Sequence, residues 1–263
     1  MKNVKKFLNL IISNKKNLEK SLPQLKKGKK QILKGVFAGK NVKIEPNVFF
    51  DTSVGEIVVG SDTRIKSCSV LRGPLIIGNN CVINSFAEIS RSQIGNVCKI
   101  GGEVEECVIN DYSNKQHYGY LGHSYVGSWV NIGGGTSVAT LKNTYSSIKM
   151  GGIDTGLLFL GCIFGDYSKT AINTSVFCGK IIGASAHLYG TVTEDVPAFT
   201  SHVAPGQLYE LPLEVAEKIQ RAMMKRRNLE FSKKDSENFK KLFNETAEER
   251  KEAGVKKDKL SFK

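Results

Sequence analysis

The sequence of 263 residues is long enough for one large domain or about two ordinary ones, and with 40% hydrophobic residues it can bury a sizeable core. No apolar run approaches the roughly 18 residues of a membrane-spanning helix, so no such span is predicted. The six cysteines show no CxxC spacing, so we expect small buried side chains in a reducing cytoplasm, not a disulfide framework or a zinc site.

The net charge of +13 is concentrated at the two ends of the chain. Residues 1–34 hold eleven lysines and one acid, Glu19, for a net charge of +10. Residues 211–263 carry a net charge of +5, which leaves −2 for the middle of the chain. A role in nucleic-acid binding would therefore have to lie in the flanks, and nucleic acid is not an expected partner of the middle.

Residues 1–34 are predicted to form a basic amphipathic helix and a linker. One helical stripe is apolar, and it consists of Val4, Phe7, Leu8 and Ile11. The apolar run at residues 10–12 is too short for a signal peptide. The helix within residues 1–20 either binds an anionic membrane surface or an acidic partner, or packs across the open first coil of the next domain. Residues 25–34 are then a linker.

Aliphatic residues recur every six positions through much of residues 35–203, a period that belongs to neither an α-helix nor a plain strand. The series, with one-residue slips, is Val36, Val42, Val48, Val54, Val59, Ile65, Leu71, Ile77, Ile83, Ile89, Ile94 and Ile100, and later Phe164, Thr170, Val176, Ile182 and Leu188. Each hexad is predicted to form one short strand and a corner. Three hexads complete one turn of a triangular prism, so residues eighteen apart stack. The predicted class is all-β, a parallel β-helix with helical flanks and with ends that need caps.

The six-residue period continues through Tyr120, Val126 and Ile132, and the stretch of residues 113–139 that holds them carries the candidate chemistry. His117 is flanked by hydrogen-bonding side chains, and the glycines at 133–135 allow a ligand to approach the backbone closely. The repeat is interrupted at residues 104–116 and again at 141–156. Loops that leave a solenoid face typically build its binding surface, so the site is predicted between these interruptions.

Helical periodicity replaces the repeat in a tail of residues 204–263. Pro212 is predicted near the start of a helix whose apolar face consists of Val215, Ala216, Ile219, Ala222 and Met223. Ser232 is predicted to cap a second helix that carries Phe239, Leu242 and Phe243. We expect these helices to cover the last coil or a neighbouring subunit, and the segment from Glu248 onward to fray.

A run of residues in the central stretch resembles the active-site run of the hexapeptide-repeat acyltransferases. The matching residues are His117-Tyr118-Gly119-Tyr120-Leu121-Gly122, Val126-Gly127, Asn131-Ile132-Gly133 and Gly135-Thr136. The run is similar to the acetyltransferase half of the bifunctional glucosamine-1-phosphate acetyltransferase and N-acetylglucosamine-1-phosphate uridylyltransferase, and to related sugar nucleotidyltransferases with a β-helical half. The resemblance covers about residues 50–230, and the nucleotidyltransferase domain has no counterpart in the sequence.

The resemblance implies a left-handed β-helix, a homotrimer with active sites between neighbouring prisms, and a cytoplasmic enzyme. The implied reaction is acetyl transfer from acetyl-CoA, as co-substrate, to an amino sugar, a sugar phosphate or a nucleotide sugar. The implied catalytic base is His117, the acid that orients it is Glu103, and the backbone N–H facing the thioester oxygen is that of Gly134. The implied cofactor-binding segment is Gly133, Gly134 and Gly135, and the implied substrate contacts are Tyr120, Asn131 and, in the run before the base, Lys115.

The residues themselves support this chemistry. An imidazole can take a proton from an amine or hydroxyl at neutral pH, and a glycine-rich backbone supplies fixed donors to an oxyanion. Lys142 and Lys149, in the second interruption, are candidate clamps for a sugar phosphate or a pyrophosphate. Two departures alter the expected phosphosugar site: Thr140 replaces an asparagine of the family, and glutamate, at Glu105 or Glu106, replaces a lysine.

Two other functions are compatible with the sequence. Trimeric β-helical carbonic anhydrases bind zinc through histidines between subunits, but His117 and His123 are six apart and should lie on successive faces, so no metal is expected. The main alternative is a non-catalytic trimeric scaffold that partners a separate nucleotidyltransferase. Thr140 and the missing domain favour this alternative, whereas the set of His117, Tyr120 and Asn131 opposes it.

Overall fold

The computed structural model describes residues 4–258 and 260, and most of this chain forms short strands arranged in coils. The first strands are β1 (Lys30–Leu33), β2 (Val36–Ala38), β3 (Lys43–Ile44), β4 (Phe49–Asp51), β5 (Ile57–Val59), β6 (Arg64–Ile65), β7 (Val70–Arg72), β8 (Leu75–Ile77), β9 (Val82–Ile83), β10 (Glu88–Ser90), β11 (Gln93–Ile94), β12 (Lys99–Ile100), β13 (Glu103–Glu105), β14 (Val108–Ile109) and β15 (Asn114–Lys115). The remaining strands are β16 (Tyr120–Gly122), β17 (Tyr125–Val126), β18 (Asn131–Ile132), β19 (Ser137–Val138), β20 (Lys149–Met150), β21 (Ile153–Asp154), β22 (Ile163–Phe164), β23 (Lys169–Thr170), β24 (Ser175–Val176), β25 (Ile181–Ile182), β26 (His187–Leu188), β27 (Thr191–Val192), β28 (Thr200–Ala204) and β29 (Gln207–Glu210).

Successive strands occupy three faces of a prism in rotation, which confirms the predicted parallel β-helix. Sheet A has the order β1-β2-β5-β8-β11-β14-β17-β22-β25, and sheet B has the order β29-β28-β26-β23-β18-β15-β12-β9-β6-β3. The third face consists of β16-β13-β10-β7-β4 and, after the second interruption, β19-β24-β27. Within the coils each strand pairs in parallel with its counterpart one coil away, so the backbone of one coil satisfies that of the next.

The core of the prism is a stack of aliphatic side chains. Ile65, Ile83 and Ile100 are fully buried and adjacent in register on sheet B. The step from one to the next is 18 and then 17 residues, and the following step, to Lys115, is 15 residues. The predicted spacing of eighteen therefore holds for only some coils, because several corners are shorter.

Two predicted core positions are wrong. Val54 lies in the loop after β4 and is 69% exposed. On the third face Leu121 is fully buried, whereas the neighbouring Tyr120 is only half-buried. A one-residue shift in a flat strand exchanges the inward and outward positions, and the hexapeptide count did not detect the shift.

The N-terminal helices α1 (Val4–Ile12) and α2 (Asn14–Leu25) lie along the outer face of sheet A, and the predicted packing across the first coil is wrong. Leu8 and Ile11 pack on a cluster that includes Ile163 and Ile181. Leu18 and Leu22 pack on Val58 and Ile76. The reason is that these sheet residues are apolar although they point outward, so this face needs a cover.

Strand β1 covers the first coil, in place of the predicted linker. It pairs antiparallel with β2, and Ile32 packs against the core. This pairing satisfies the edge of β2, which would otherwise be open to another chain. At the other end of the prism, β28 and β29 form an antiparallel pair.

The C-terminal helices are α3 (Leu213–Lys225), α4 (Lys233–Glu245) and α5 (Ala247–Glu252). The predicted cap is confirmed, because the Ser232 side chain accepts a hydrogen bond from the backbone N–H of Asp235. Phe239 packs with Phe199 beside the last coils. Residues 248–258 do not fray as expected: Arg250 is buried and bonds Glu210, which anchors α5. Residues 259 and 261–263 of the segment that was expected to fray lie outside the described residues. None of the helices in the described chain has the length and apolar character needed to cross a membrane.

Candidate active site

His117 lies at the corner between β15 on sheet B and β16 on the third face, and its side chain is exposed. Its ring lies close to the backbone of Gly134. A Cβ added to Gly134 would stand 3.3 Å from the His117 Cβ and 3.6 Å from its Cγ. Residue 134 therefore lies directly against the His117 side chain, and a methyl group there would make a tight contact with the His117 Cβ.

Lys115 fixes the backbone that carries His117. It takes an inward position in the isoleucine stack of sheet B and is buried. Its Nζ donates to the carbonyl oxygens of Gly101 (2.8 Å), His117 (2.8 Å) and Gly119 (2.7 Å), and burial lowers the pKa of Lys115 to about 8. Because all three donors of the ammonium are used, the structure gives Lys115 a positioning role instead of the predicted substrate contact.

The three glycines have different roles. The N–H of Gly133 donates to Thr170 Oγ1 (2.8 Å), and that of Gly135 donates to the Tyr118 carbonyl (2.9 Å). The N–H of Gly134 has no hydrogen-bond partner within the part of the chain that the structure describes. Only Gly134 therefore offers a free backbone donor, and it lies beside the imidazole.

A cleft of about 410 Å³ brings together four of the predicted residues: His117, Asn131, Gly133 and Gly134. It runs along the outer face of sheet B, and the residues after α3 form one of its walls. The sequence did not predict the other polar side chains of this cleft, which are Lys99, Asn114, Gln116, Thr170, Arg226 and Arg227.

Asn131 is held by a chain of side-chain hydrogen bonds. Arg227 Nη2 donates to Asn114 Oδ1 (2.9 Å), and Asn114 Nδ2 donates to Asn131 Oδ1 (3.4 Å). Asn114 and Asn131 are outward neighbours in register on β15 and β18. The chain orients the Asn131 amide in the cleft and links the C-terminal tail to the coil that carries His117.

Tyr120 and Thr140 form a separate group on the third face. The Tyr120 hydroxyl bonds Glu105 Oε2 (3.3 Å) and also interacts with Thr140. Burial raises the pKa of Tyr120 to about 12. Glu103 is exposed and pairs in register with Tyr120, and no hydrogen bond joins its carboxylate to His117 in the described structure. Within one chain, the predicted site residues therefore lie on two faces of the prism, with His117 and Asn131 at sheet B and Tyr120 on the third face.

The two lysines of the second interruption lie in the loop that contains the hairpin of β20 and β21. Lys142 Nζ donates to the Ser147 carbonyl (2.5 Å), so it stabilises the loop itself. Lys149 is exposed on β20. Neither lysine lines the cleft that contains His117.

A network of charged side chains near Tyr120 was not predicted. Arg91 bonds both Glu105 and Glu106, and Glu106 Oε2 lies 3.2 Å from His123 Nδ1. The hydrogen bond from His123, with Arg91, lowers the pKa of Glu106 to about 2. His123 therefore lies in an ion-pair network away from His117, and among residues 4–258 and 260 no group of three metal-binding side chains forms.

Comparison with known proteins identifies relatives of this chain. No protein-family model matches it. The bifunctional protein GlmU of Synechococcus elongatus is 27% identical over 179 residues, which cover 54% of this chain and 37% of the relative. A bifunctional sugar-1-phosphate nucleotidylyltransferase/acetyltransferase of Sulfurisphaera tokodaii is 31% identical over 175 residues, which cover 61% of this chain and 42% of the relative. The matches span less than half the length of each relative.

Solved structures give weaker similarities. A UDP-N-acetylglucosamine acyltransferase of Francisella novicida is 15% identical, covers 84% of this chain and 94% of its own, and has a TM-score of 0.42. An Arabidopsis UDP-N-acetylglucosamine acyltransferase is 16% identical, covers 84% and 88%, and has a TM-score of 0.40. Scores of this size carry no argument about the present chain. The sequence relatives confirm the resemblance to the acetyltransferase half of the bifunctional proteins.

Proposed function

From the confirmed resemblance to the hexapeptide-repeat acetyltransferases, we propose that this chain transfers an acetyl group from acetyl-CoA to an amino sugar or nucleotide sugar, with His117 as the general base. The observation that supports this proposal best is the position of the exposed imidazole against Gly134, whose N–H is free. A base and an oxyanion donor side by side are the two groups that acyl transfer needs.

The proposed reaction uses both groups in one step. The acceptor amine or hydroxyl attacks the thioester carbonyl carbon while His117 takes its proton, and a C–N or C–O bond forms. The Gly134 N–H stabilises the oxyanion. When the oxyanion collapses, the C–S bond breaks, and the proton on His117 passes to the coenzyme A sulfur. Glu103 as the orienting acid remains a part of this proposal.

The charges on the third face favour an amine or hydroxyl acceptor over a sugar phosphate at that end. The resemblance predicts a lysine where this chain has Glu105 or Glu106. The Glu105 carboxylate bonds Arg91 and the Tyr120 hydroxyl, and Glu106 bonds Arg91. Arg91 is already paired with two carboxylates and Arg72 with Glu88, so neither arginine of this face is free to bind a phosphate. An acidic surrounding instead attracts the ammonium form of an amino group, which loses one proton to solvent before the neutral amine attacks and gives its next proton to His117.

A homotrimer completes the proposed site. His117 lies in the sheet B cleft, whereas Tyr120 and Thr140 lie on the third face, so a neighbouring prism is needed to bring both groups to one substrate. We expect light scattering to give about three times 28.9 kDa. A stable monomer at micromolar concentration would contradict the shared site.

The second candidate is a non-catalytic trimeric scaffold that partners a separate nucleotidyltransferase. It is favoured by the division of the predicted residues between two faces and by the lack of a hydrogen bond between Glu103 and His117 in the described structure. A scaffold has no need of a free Gly134 N–H beside an exposed imidazole. Because the structure has both groups side by side, the scaffold is the second candidate.

Acetyl-CoA turnover with candidate amino-sugar acceptors distinguishes the two functions. His117→Ala should lower the rate of acetyl transfer about 10²–10⁴-fold with little change in coenzyme A affinity, because the base acts on the acceptor proton. His123→Ala is the matched control and should keep the rate within a few-fold. Equal rates for wild type and His117→Ala, on an acceptor that the wild type acetylates well, would show that His117 is not the base. No acetyl transfer by the wild type to any of the acceptors would leave the scaffold as the better account.

A further inference from the structure

Basic side chains gather on the sheet B side of His117. Lys99, Arg226 and Arg227 line the cleft of about 410 Å³. Lys66 lines an adjoining cleft of about 470 Å³, which also contains His117. Four cations from two distant parts of the chain, the coils and the end of α3, thus line the two clefts that contain the proposed base.

This positive charge is not balanced locally. No carboxylate lines either cleft among the described residues. Burial and the positive charges of Arg227, Arg226 and Lys66 lower the pKa of Lys99. The Nε of Arg227 is buried and has no hydrogen-bond partner in the described structure. Like charges held together with an unused donor cost free energy, and a bound anion would offset that cost.

Arginines elsewhere on the prism are paired. On the third face Arg72 bonds Glu88, and Arg91 bonds Glu105 and Glu106. Among the described residues, Arg226 and Arg227 are the arginines that form no ion pair with a carboxylate, since Arg64, Arg221 and Arg250 are paired as well. The charge changes sign across the corner that carries His117, from acidic on the third face to basic on sheet B.

The end of α3 explains only part of this cluster. Cations near a helix C-terminus are stabilised by the helix dipole, which suits Arg226 and Arg227. Lys99 comes from β12 and Lys66 from the corner after β6, and neither belongs to the helix. The convergence of both sources on the two adjoining clefts at His117 points to a ligand.

We propose that Lys66, Lys99, Arg226 and Arg227 form a phosphate-binding subsite for the diphosphate group of a ligand that reacts at His117. The assignment rests on the proposed function, because the proposed donor, coenzyme A, carries a diphosphate, and a nucleotide-sugar acceptor would carry one too. Guanidinium groups suit it because they bind phosphate oxygens through two parallel hydrogen bonds. The subsite places the diphosphate on sheet B and the acetyl acceptor group towards the acidic third face.

Direct binding tests the subsite without any turnover. The dissociation constants of coenzyme A, UDP and inorganic pyrophosphate are measured by calorimetry for wild type, Arg226→Gln and Lys99→Gln. Each substitution should weaken at least one of the three about tenfold, which corresponds to about 1.4 kcal/mol, and the wild-type affinity should fall with added salt. Lys225→Gln is the control, because Lys225 is exposed on the same helix, carries the same charge and does not line the cleft.

The ligand affected identifies the source of the phosphate. Weaker binding of coenzyme A alone assigns the cations to the acyl donor, and weaker binding of UDP alone assigns them to a nucleotide sugar. The proposal is overturned if wild type binds none of the three probes, or if Arg226→Gln and Lys99→Gln bind all of them as Lys225→Gln does. A subsite that fails while His117→Ala still abolishes transfer leaves the proposed function standing. If the substitutions weaken coenzyme A binding but the wild type shows no acetyl transfer, the subsite stands and the proposed function fails.

Discussion

Sheet A and sheet B line the same core with similar aliphatic side chains, but their outer faces differ. The outward residues of sheet A include Val58, Ile76, Ile163 and Ile181, and they are covered by the N-terminal helices. The outward residues of sheet B include Lys99, Asn114, Asn131 and Lys169, which follow one another in register and in part line the cleft. The inward residues therefore specify the coil, and the outward residues specify what covers each face.

This difference explains why the two basic flanks have different roles. The helices α1 and α2 use their apolar stripe on sheet A, so that stripe is not free to enter a membrane, and their lysines remain in solvent. The C-terminal tail uses apolar residues such as Phe239 for packing and brings Arg226 and Arg227 to sheet B. The positive charge of one flank faces solvent, and that of the other faces the proposed ligand site.

The largest effect is expected when the cover of sheet A is broken. Leu18 is fully buried on Val58 and Ile76, so Leu18→Asp removes apolar contact and buries a charge. We expect the free energy of unfolding to fall by about 4 kcal/mol or more. Lys20→Asp, on an exposed position of the same helix, should change it by less than about 0.5 kcal/mol. Urea unfolding measures both, and equal losses would show that the helix is not a structural cover.

A smaller effect is expected when the core of sheet B loses the buried ammonium of Lys115. Lys115→Met keeps the hydrocarbon stem but removes the donor to the carbonyls of Gly101, His117 and Gly119. We expect a loss of about 3 kcal/mol in unfolding free energy and a drop of at least tenfold in transfer rate, because the backbone at His117 is no longer fixed. An unchanged rate in a destabilised variant would contradict the positioning role.

Gly134→Ala tests the sheet B site with little effect on the fold. Residue 134 is not among the glycines with positive φ, so alanine fits the backbone, but its methyl group would stand 3.3 Å from the His117 Cβ, a tight contact that displaces the His117 side chain by a few tenths of an ångström. We expect a roughly tenfold loss of transfer rate with less than about 1 kcal/mol lost in stability. A rate equal to that of wild type would show that the imidazole does not react from this position.

The smallest effect concerns the third face and depends on pH. The pKa of Glu106 is about 2 in the folded protein, against an ordinary value of 4.5, because of His123 and Arg91. A lowered folded pKa contributes stability above pH 4.5, and this contribution is lost as the pH falls towards 2. Since Glu106 is partly exposed, solvent screening limits this contribution to the free energy of unfolding to about 1 kcal/mol. The difference between wild type and Glu106→Gln should therefore disappear between pH 5 and pH 2.

The coil could be predicted from the sequence because its signal is local. The period is visible in the sequence spacing of Ile65, Ile83 and Ile100, and each coil buries its face against the next. The cover of sheet A was missed for a physical reason: apolar residues at consecutive positions, as in Ile57-Val58-Val59, indicate burial on both faces, but a six-residue count registers only one.

The candidate site was predictable where it depends on one short segment. His117, Asn131, Gly133 and Gly134 lie within a few strands, and the coil geometry brings them together. Arg227 lies 113 residues from Asn114, which it bonds, so its position depends on how α3 packs and no local pattern contains that information. Lys115 was assigned to substrate because its inward orientation could not be distinguished from an outward one by residue type.

Hydrogen–deuterium exchange with and without coenzyme A tests most directly the claim that sheet B is the ligand face and sheet A the covered face. We predict slower exchange on binding in residues 113–118, 131–135, 170–173 and 225–228, which form or adjoin the cleft. We predict no change in residues 5–25 of the N-terminal helices. Protection in those helices with none around His117 would contradict the account.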